Sequence, residues 1–422
     1  MSKQSWRLIG CAALLAAVPA RPALAGIDFT AGDWKVDISG NVNAFYVGAN
    51  CDDGANTAVV GGLACTGDKA AAVRNGLLPA AIVFNATSRQ GDLDVGFTIG
   101  FYPGINSSAA AGVNGPGLPS ALQTPGIDAR QAFFTIGDAS WGTVKLGRDI
   151  GLFGKDAILD DMTLLGVGST GGNSAPGNTS LGRIGIGYIY TDWEPQITYT
   201  SPSFNGFSFS AGIFQPLNSV GAAPFGATYS KHTAPQIQAG ASYTWGDATG
   251  TALSGKVWVD VVTQKAQATS SDVAGNAPGA ATSYNGSGVD GGVKIGVAGF
   301  EGVLYGYTGK GIGTTGLYIL PTSAAGEKRK SDGGYVQGAY KFNKLKVGVS
   351  YGVSNLKLAS DEEAGSASSL LLHRNESVVG GLYYSLTKSV TLVGEFIDTK
   401  AKAWNGNSAK ETTYALGGII FF

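Results

Sequence analysis

The residues that could do chemistry are few and poorly placed for it. Two histidines, His232 and His373, are the only imidazoles in 422 residues. His373 stands near Arg374 and Glu376, but no segment supplies a matching nucleophile, and a histidine base without one performs no hydrolysis. No His/Cys spacing suits zinc. Two Gly-x-Gly-x-x-Gly matches, at Gly286, Gly288, Gly291 and at Gly311, Gly313, Gly316, open no helix and are expected by chance among 66 glycines. The acids Asp361-Glu362-Glu363 could gather divalent cations, or form a plain solvated charge run. No cofactor or catalytic metal is expected. Cys51 and Cys65 lie in a Gly/Asn/Asp-rich stretch.

The elements around these residues must therefore carry the function. Lys3 and Arg7 precede an apolar run from Leu8 to Val18, and Ala23-Leu24-Ala25 closes it. This is the pattern of a secretory leader, residues 1–25, with cleavage after Ala25 and Cys11 in the discarded part. Residues 26–422 are expected to form one domain. The formal charge of the whole chain is −1, and loss of Lys3, Arg7 and Arg21 takes the mature chain to −4. No nucleic-acid partner is implied. In an oxidising compartment Cys51 and Cys65 should pair, and closing that loop is worth ~3 kcal/mol in the chain-entropy model.

Alternation by two runs along the chain. Trp34, Val36, Ile38, Gly40, Val42 and Ala44 alternate with Asp33, Lys35, Asp37, Ser39, Asn41 and Asn43. Leu253 to Val261 keeps Lys256 and Asp260 on its polar side, and Val289 to Val297 keeps Asp290 and Lys294 there. Leu345 to Val353 repeats the pattern. Successive strand side chains point to opposite faces, so each segment has one wet and one apolar face. Seven short links, near 89–92, 137–140, 201–206, 246–250, 298–299, 342–344 and 386–388, alternate with eight long ones. The long links are expected near 48–76, 104–127, 151–182, 216–234, 267–288, 311–332, 359–375 and 403–410. Together they separate sixteen strands. An even count, short turns on one side and long loops on the other indicate an all-β transmembrane antiparallel β-barrel. Unpaired edges cannot face lipid, so the last strand, with Thr412, Tyr414, Leu416, Gly418, Ile420 and Phe422 on one face, should pair with the first. Trp245, Phe342 and Tyr384 near short turns fit an aromatic belt.

The stretches RQAFFTIGDASWGTVKLGRD (130–149), KDAILDDM (155–162) and ITYTSPSFNGF (197–207), with the terminal Phe422, resemble the Gram-negative general diffusion porins. The resemblance implies a trimeric outer-membrane barrel for passive diffusion of small hydrophilic solutes and ions, with a third loop folded into the pore. It places Arg130 and Arg183 on the wall of a constriction and Asp161, with Asp156 and Asp160, on the inward loop. Lys145 shares the pore-facing parity of Thr143. Arg148 falls at the protomer interface, and Phe422 falls on the signal that the barrel-assembly machinery reads. Outer-membrane lipid and lipopolysaccharide would surround the barrel. Three departures stand out: Ala81 replaces a wall arginine, Thr163-Leu164-Leu165-Gly166 replaces an acid-bearing turn, and Pro195-Gln196 replaces an Asn-Ser pair. They imply a less charged, partly apolar constriction and a more solute-selective channel as the alternative. An outer-membrane hydrolase and a secreted adhesin are the competing classes. The first lacks a catalytic constellation, and the second lacks a short fixed repeat.

Overall fold

The computed structural model describes residues 26–67, 69–105, 126–170, 178–221, 224–246, 252–363 and 367–422. The leader expected over residues 1–25 lies outside them.

β1 (Ile27–Ala31) turns directly back onto β2 (Trp34–Cys51). β3 (Lys69–Arg74) and β4 (Ala81–Gln90) both pair with β2, β3 with its long-link end and β4 with its short-turn end. A meander follows through β5 (Leu93–Pro103), β6 (Ile127–Asp138), β7 (Gly142–Ile150), β8 (Trp193–Thr200), β9 (Phe207–Phe214) and β10 (Gln236–Trp245). It continues through β11 (Ser254–Gln267), β12 (Ser283–Val297), β13 (Phe300–Lys310) and β14 (Lys330–Phe342). β15 (Leu345–Leu356), β16 (Leu372–Ser385), β17 (Val390–Ala403) and β18 (Ser408–Phe421) complete it. β18 then pairs antiparallel with β2, from Glu411↔Cys51 to Phe421↔Asn41, and the sheet closes.

These segments fill sixteen wall positions. β3 and β4 share one. β1 prolongs the position of β18, because it pairs with β2 just beyond the point where β18 stops. Gly40 and Phe422 exchange both backbone hydrogen bonds at that junction (2.8 and 3.1 Å). The pairing of β18 with β2 removes the two long edges that an open sheet would leave to lipid.

Six of the seven short links fall where the sequence places them; residues 247–250 of the seventh, and 106–125 of the second long link, lie outside the described residues. In the link 298–299, Ala298 and Gly299 both have positive φ (48° and 86°), the twist a two-residue hairpin needs. Two long links differ from expectation. The stretch 48–76 contains the end of β2 and all of β3, whose small residues gave no strand signal. The third long link runs from 151 to 192, because β8 starts only at Trp193. Within it lies α1 (Lys155–Asp160); α2 (Ser270–Gly275) caps a later long link.

The outward faces carry Val349, Leu382, Leu392, Phe396, Tyr414, Leu416 and Ile420, all exposed to the lipid position. The core lies inside the barrel. Phe153, Ala157, Ile158, Ile184, Ile186, Tyr188 and Ile189 of the third link pack against wall side chains that include Trp258, Tyr305 and Tyr335. A second cluster joins Met162 and Val167 to Phe45, Val47, Val379, Val393 and Ile397. The third link is thus folded inward and buried against β11–β18.

Candidate functional site

Two acids of α1 fix the link to the wall through charge. One helical turn separates Asp156 from Asp160, a rise of about 6 Å. Lys256 of β11 and Lys294 of β12 are register partners on neighbouring strands, about 4.8 Å apart. The two spacings match. Lys256 Nζ donates to Asp156 Oδ1 at 2.6 Å, and Lys294 Nζ donates to Asp160 Oδ1 at 2.8 Å. Lys294 also faces Glu301 at 3.6 Å, and Lys346 Nζ bonds Glu301 at 3.1 Å. The result is a row of alternating charge on the lumen side of β11, β12, β13 and β15. Burial alone would raise the Asp156 carboxyl, but Lys155, Lys256 and Lys294 hold it below its ordinary value. Burial lifts Asp160, although Lys294 pulls the other way.

Wall acids and amides hold the backbone of the link in return. Gln238 Oε1 accepts from the Leu152 and Phe153 N–H groups (2.6 and 2.9 Å), and Asp290 Oδ2 accepts from Gly154 N–H (2.6 Å). Gln337 bonds both Met162 N–H and the Asp160 carbonyl. Glu395 Oε2 accepts from Val167 and Gly168 (2.8 and 3.0 Å). Buried backbone groups need such partners. None of these wall residues was singled out as a site residue from sequence, although Asp290 and Lys294 stood on a polar strand face. Their link partners lie 85 to 228 residues away in the chain, and no local pattern reports that pairing.

Asp161 is buried within the third link. It accepts from Thr163 N–H (2.9 Å), Thr163 Oγ1 (2.8 Å) and Tyr188 Oη (3.0 Å) and so caps the turn after α1. Burial lifts its carboxyl above the ordinary range, against the pull of Arg183 and of these bonds.

Arg183 is not on a wall strand, contrary to the sequence expectation. It sits in the third link, fully buried, because the link continues ten residues further than its composition suggested. Its guanidinium reaches across to Ser350 (Oγ 2.7 Å, carbonyl O 2.6 Å) and to Ser377 Oγ (3.2 Å). Gly352 makes room: a Cβ there would come within 2.6 Å of the guanidinium. Arg183 pegs the link to β15 and β16.

Arg130 does face inward, and a β-bulge is the reason. Gly100 pairs with Gln131 and Tyr102 with Asp128, so Phe101 alone opposes Ala129 and Arg130. The extra residue reverses the parity, which explains why Ala132 and Phe134 point outward while Arg130 points in. Its partners are Asp128 Oδ2 (2.7 Å), Asn178 Oδ1 (3.1 Å) and the Tyr102 ring (5.5 Å). None of Asp156, Asp160 and Asp161 is among them, so the expected pairing of Arg130 with the link acids is replaced by the pairing of Asp156 and Asp160 with Lys256 and Lys294. Lys145 faces the lumen, bonds Asp149 four residues further along the same strand and lies 4.8 Å from the Phe133 ring. Arg148 pairs with Ala132 and Pro195 on the outward face.

Cys51 and Cys65 form a disulfide between the end of β2 and the link after it. The Cys65 N–H donates to Glu411 Oε2 at 2.9 Å, which ties the same link to β18.

The sequence matches the Gram-negative porin family over residues 10–404. A search of curated proteins gives no match. The fold is similar to that of the outer membrane channel DcaP of Acinetobacter baumannii (15% identity, 93% of this chain and 99% of that one, TM-score 0.65). It is also similar to Salmonella typhi OmpF, solved in complex with daunomycin (13% identity, 94% and 100%, TM-score 0.54). The in-vitro folded trimer form of OmpT, an outer membrane protein of Vibrio cholerae, is a third likeness (13% identity, 92% and 99%, TM-score 0.50). A closed sixteen-strand wall, an inward third link and this family match together make the chain a member of the Gram-negative porin family, an outer-membrane channel for passive diffusion.

Proposed function

We propose that solutes pass between the α1 face of the third link and the hydroxyl-bearing wall of β4–β10. The row Asp156, Lys256, Asp160, Lys294, Glu301 and Lys346 forms one side of the constriction, and Arg130–Asp128 with Lys145–Asp149 flanks the other. The observation that carries this reading is the double hold of Lys256 and Lys294 on α1. It keeps a charged helix inside the barrel. Thr98, Thr135, Thr198 and Ser210 stand on lumen-facing positions of the facing wall. Cations and anions balance within the row, so ion preference is weak and small uncharged hydrophilic solutes pass readily. Charges fixed in a narrow pore still bias which ions enter. A reversal potential in a salt gradient tests this.

The same reading takes the protein as a channel rather than a hydrolase. His232 bonds Asn218, and the His373 ring lies tilted against Trp404 with ring centroids 4.1 Å apart; among the described residues neither meets a nucleophile. A homotrimer is supported by Arg148, a cation on the outward wall beside a shallow apolar groove of Phe97, Ile99, Ala132, Phe134 and Leu146, where a second copy would cover it. The leader at 1–25 would deliver the chain, and Phe422 would present it to the assembly machinery. Analytical ultracentrifugation with matched detergent density reads the oligomer, and an Arg148→Glu trimer would count against that assignment.

A further inference from the structure

Two ion pairs on the wall show the lumen opposite signs. On β7 the cation is the more exposed partner: the Lys145 side chain is 15% exposed and that of Asp149 7%. On β6 the order is reversed, with Asp128 at 32% and Arg130 at 10%. A solute moving along this wall therefore meets an acid at the long-link end and a cation below it. Neither pair carries a net charge. Among the described residues, Lys145 Nζ bonds only Asp149, and an ammonium has three N–H groups to give. Asp128 bonds Arg130 through Oδ2 alone.

The β-bulge at Phe101 builds the surface between them. It turns Asp128 and Arg130 inward on one side, and Gln131 and Phe133 inward on the other. Tyr102 lies along the wall over Gly100, where a Cβ would come within 2.7 Å of its hydroxyl, and donates to Gln131 Oε1. Gln131 Nε2 in turn donates to Asp149 Oδ1 at 3.0 Å, which fixes the partner of Lys145. Phe133 is half-buried and fills the room left by Gly147, where a Cβ would stand 2.8 Å from its own. Lys145 Nζ lies 4.8 Å from the Phe133 ring, so the cation and the ring share one end of the patch.

Strand register gives the spacing. Ala132 pairs with Arg148, which puts Asp149 beside Gln131. Asp128 lies three residues before Gln131, about 10 Å at 3.3 Å per residue. The accessible acid and the accessible cation are thus about 10 Å apart, the reach of three extended residues.

We propose that this patch is a subsite for tripeptide-sized zwitterions with a C-terminal aromatic residue: the ammonium meets Asp128, the carboxylate meets Lys145 and the ring packs on Phe133. A solute with one charge gains one contact and meets the like-charged member of the same pair. A zwitterion of matching length gains both contacts, and complementary charge placement of this kind selects among partners. Each contact is weak, as passage requires, since a pore site must release what it binds. The proposal rests on the channel reading and names a solute class for it.

The test adds peptides to one side of a planar bilayer holding the full protein and records interruptions of the open-channel current against concentration. The peptides are Ala-Ala-Phe, Phe-Ala-Ala, Ala-Ala-Leu, N-acetyl-Ala-Ala-Phe and Ala-Ala-Phe-amide. Ala-Ala-Phe should half-saturate at a concentration roughly threefold to tenfold below Ala-Ala-Leu and Phe-Ala-Ala, the factor an aromatic pair supplies. Acetylation and amidation should each weaken it by up to roughly fivefold. Phe133→Leu should erase the preference for Phe over Leu. Lys145→Gln should erase the cost of amidation, and Asp128→Asn the cost of acetylation. Equal potency of Ala-Ala-Phe and Ala-Ala-Leu overturns the proposal, as does indifference to both end modifications or a preference that survives its matching variant. If a variant does not fold, the five peptides on the wild type decide alone. Conductance in salt without peptide tests the channel reading separately: a conducting wild type with no peptide preference contradicts only the subsite.

Discussion

Asp160 on the inward helix and Lys294 on the wall meet at 2.8 Å, although 134 residues separate them in the chain. One turn earlier Asp156 meets Lys256 at 2.6 Å. A helix one turn long is not stable alone. These two contacts, with Gln238, Asp290 and Gln337 on its backbone, give it a fixed place inside the barrel.

Arg183 is the peg on the other side of the link. Each hydrogen bond to a charged group contributes about 1.5–3 kcal/mol, and removing the side chain empties a buried site. Arg183→Ala should lower barrel stability by roughly 2–4 kcal/mol and make open-channel current noisier. Urea-dependent heat-modifiability on gels reads the first and single-channel recording the second. Unchanged behaviour in both would show that the link is held without it.

The disulfide should matter locally. Cys51→Ser/Cys65→Ser loses a closure worth ~3 kcal/mol in the entropy model, yet β2 keeps its pairings with β18 and β3. Normal folded yield with faster proteolysis between residues 52 and 68 is expected. A chain that fails to assemble would contradict the local role.

Phe422 closes the wall at Gly40, and its ring lies within 2.9 Å of where a Gly40 Cβ would stand. Deleting Phe422 should sharply reduce folded protein in the outer membrane, measured by heat-modifiable mobility. Wild-type yield would refute its part in closure.

A buried pair ties the external links together. Arg329 bonds Glu362 at 2.5 and 2.9 Å, the Leu320 carbonyl at 3.1 Å and the Phe225 carbonyl. Burial would raise the Glu362 carboxyl, but bonds from Arg329, Ala359 and Ser368 hold it below its ordinary value. A folded value below the unfolded one contributes stability above the unfolded value, roughly pH 4.3, and loses it as pH falls through the folded value. The links should therefore stay closed at neutral pH and become protease-sensitive only in stronger acid. Glu362→Gln should be sensitive at pH 7 already. Equal digestion of both proteins at pH 7 would dismiss the latch.

Much of the barrel was legible because its signals are local. Turn residues such as Ala298-Gly299 and the alternation around Lys256 and Lys294 need only a few neighbours in sequence. β3 was missed because Lys69-Ala70-Ala71-Ala72-Val73 offers little contrast between faces. The inward turn of Arg130 depended on one extra residue against Phe101, visible in sequence only as a failed alternation. Arg183 was misplaced because a buried link inside a barrel can alternate like a wall strand: Ile184, Ile186, Tyr188 and Tyr190 share one parity. The lysine partners of Asp156 and Asp160 follow from barrel closure and register, which no short stretch encodes.

The central claim is that the row built on Asp156–Lys256 and Asp160–Lys294 lines the constriction. The direct measurement is the reversal potential in a salt gradient across a planar bilayer. Lys256→Gln/Lys294→Gln should shift it toward cation preference, and Asp156→Asn/Asp160→Asn toward anion preference. Arg130→Ala should shift it less in the cation direction, and Asp161→Asn, at a residue buried within the link, should leave it unchanged. If both double variants conduct normally and keep the wild-type reversal potential, these residues do not line the path and the constriction lies elsewhere.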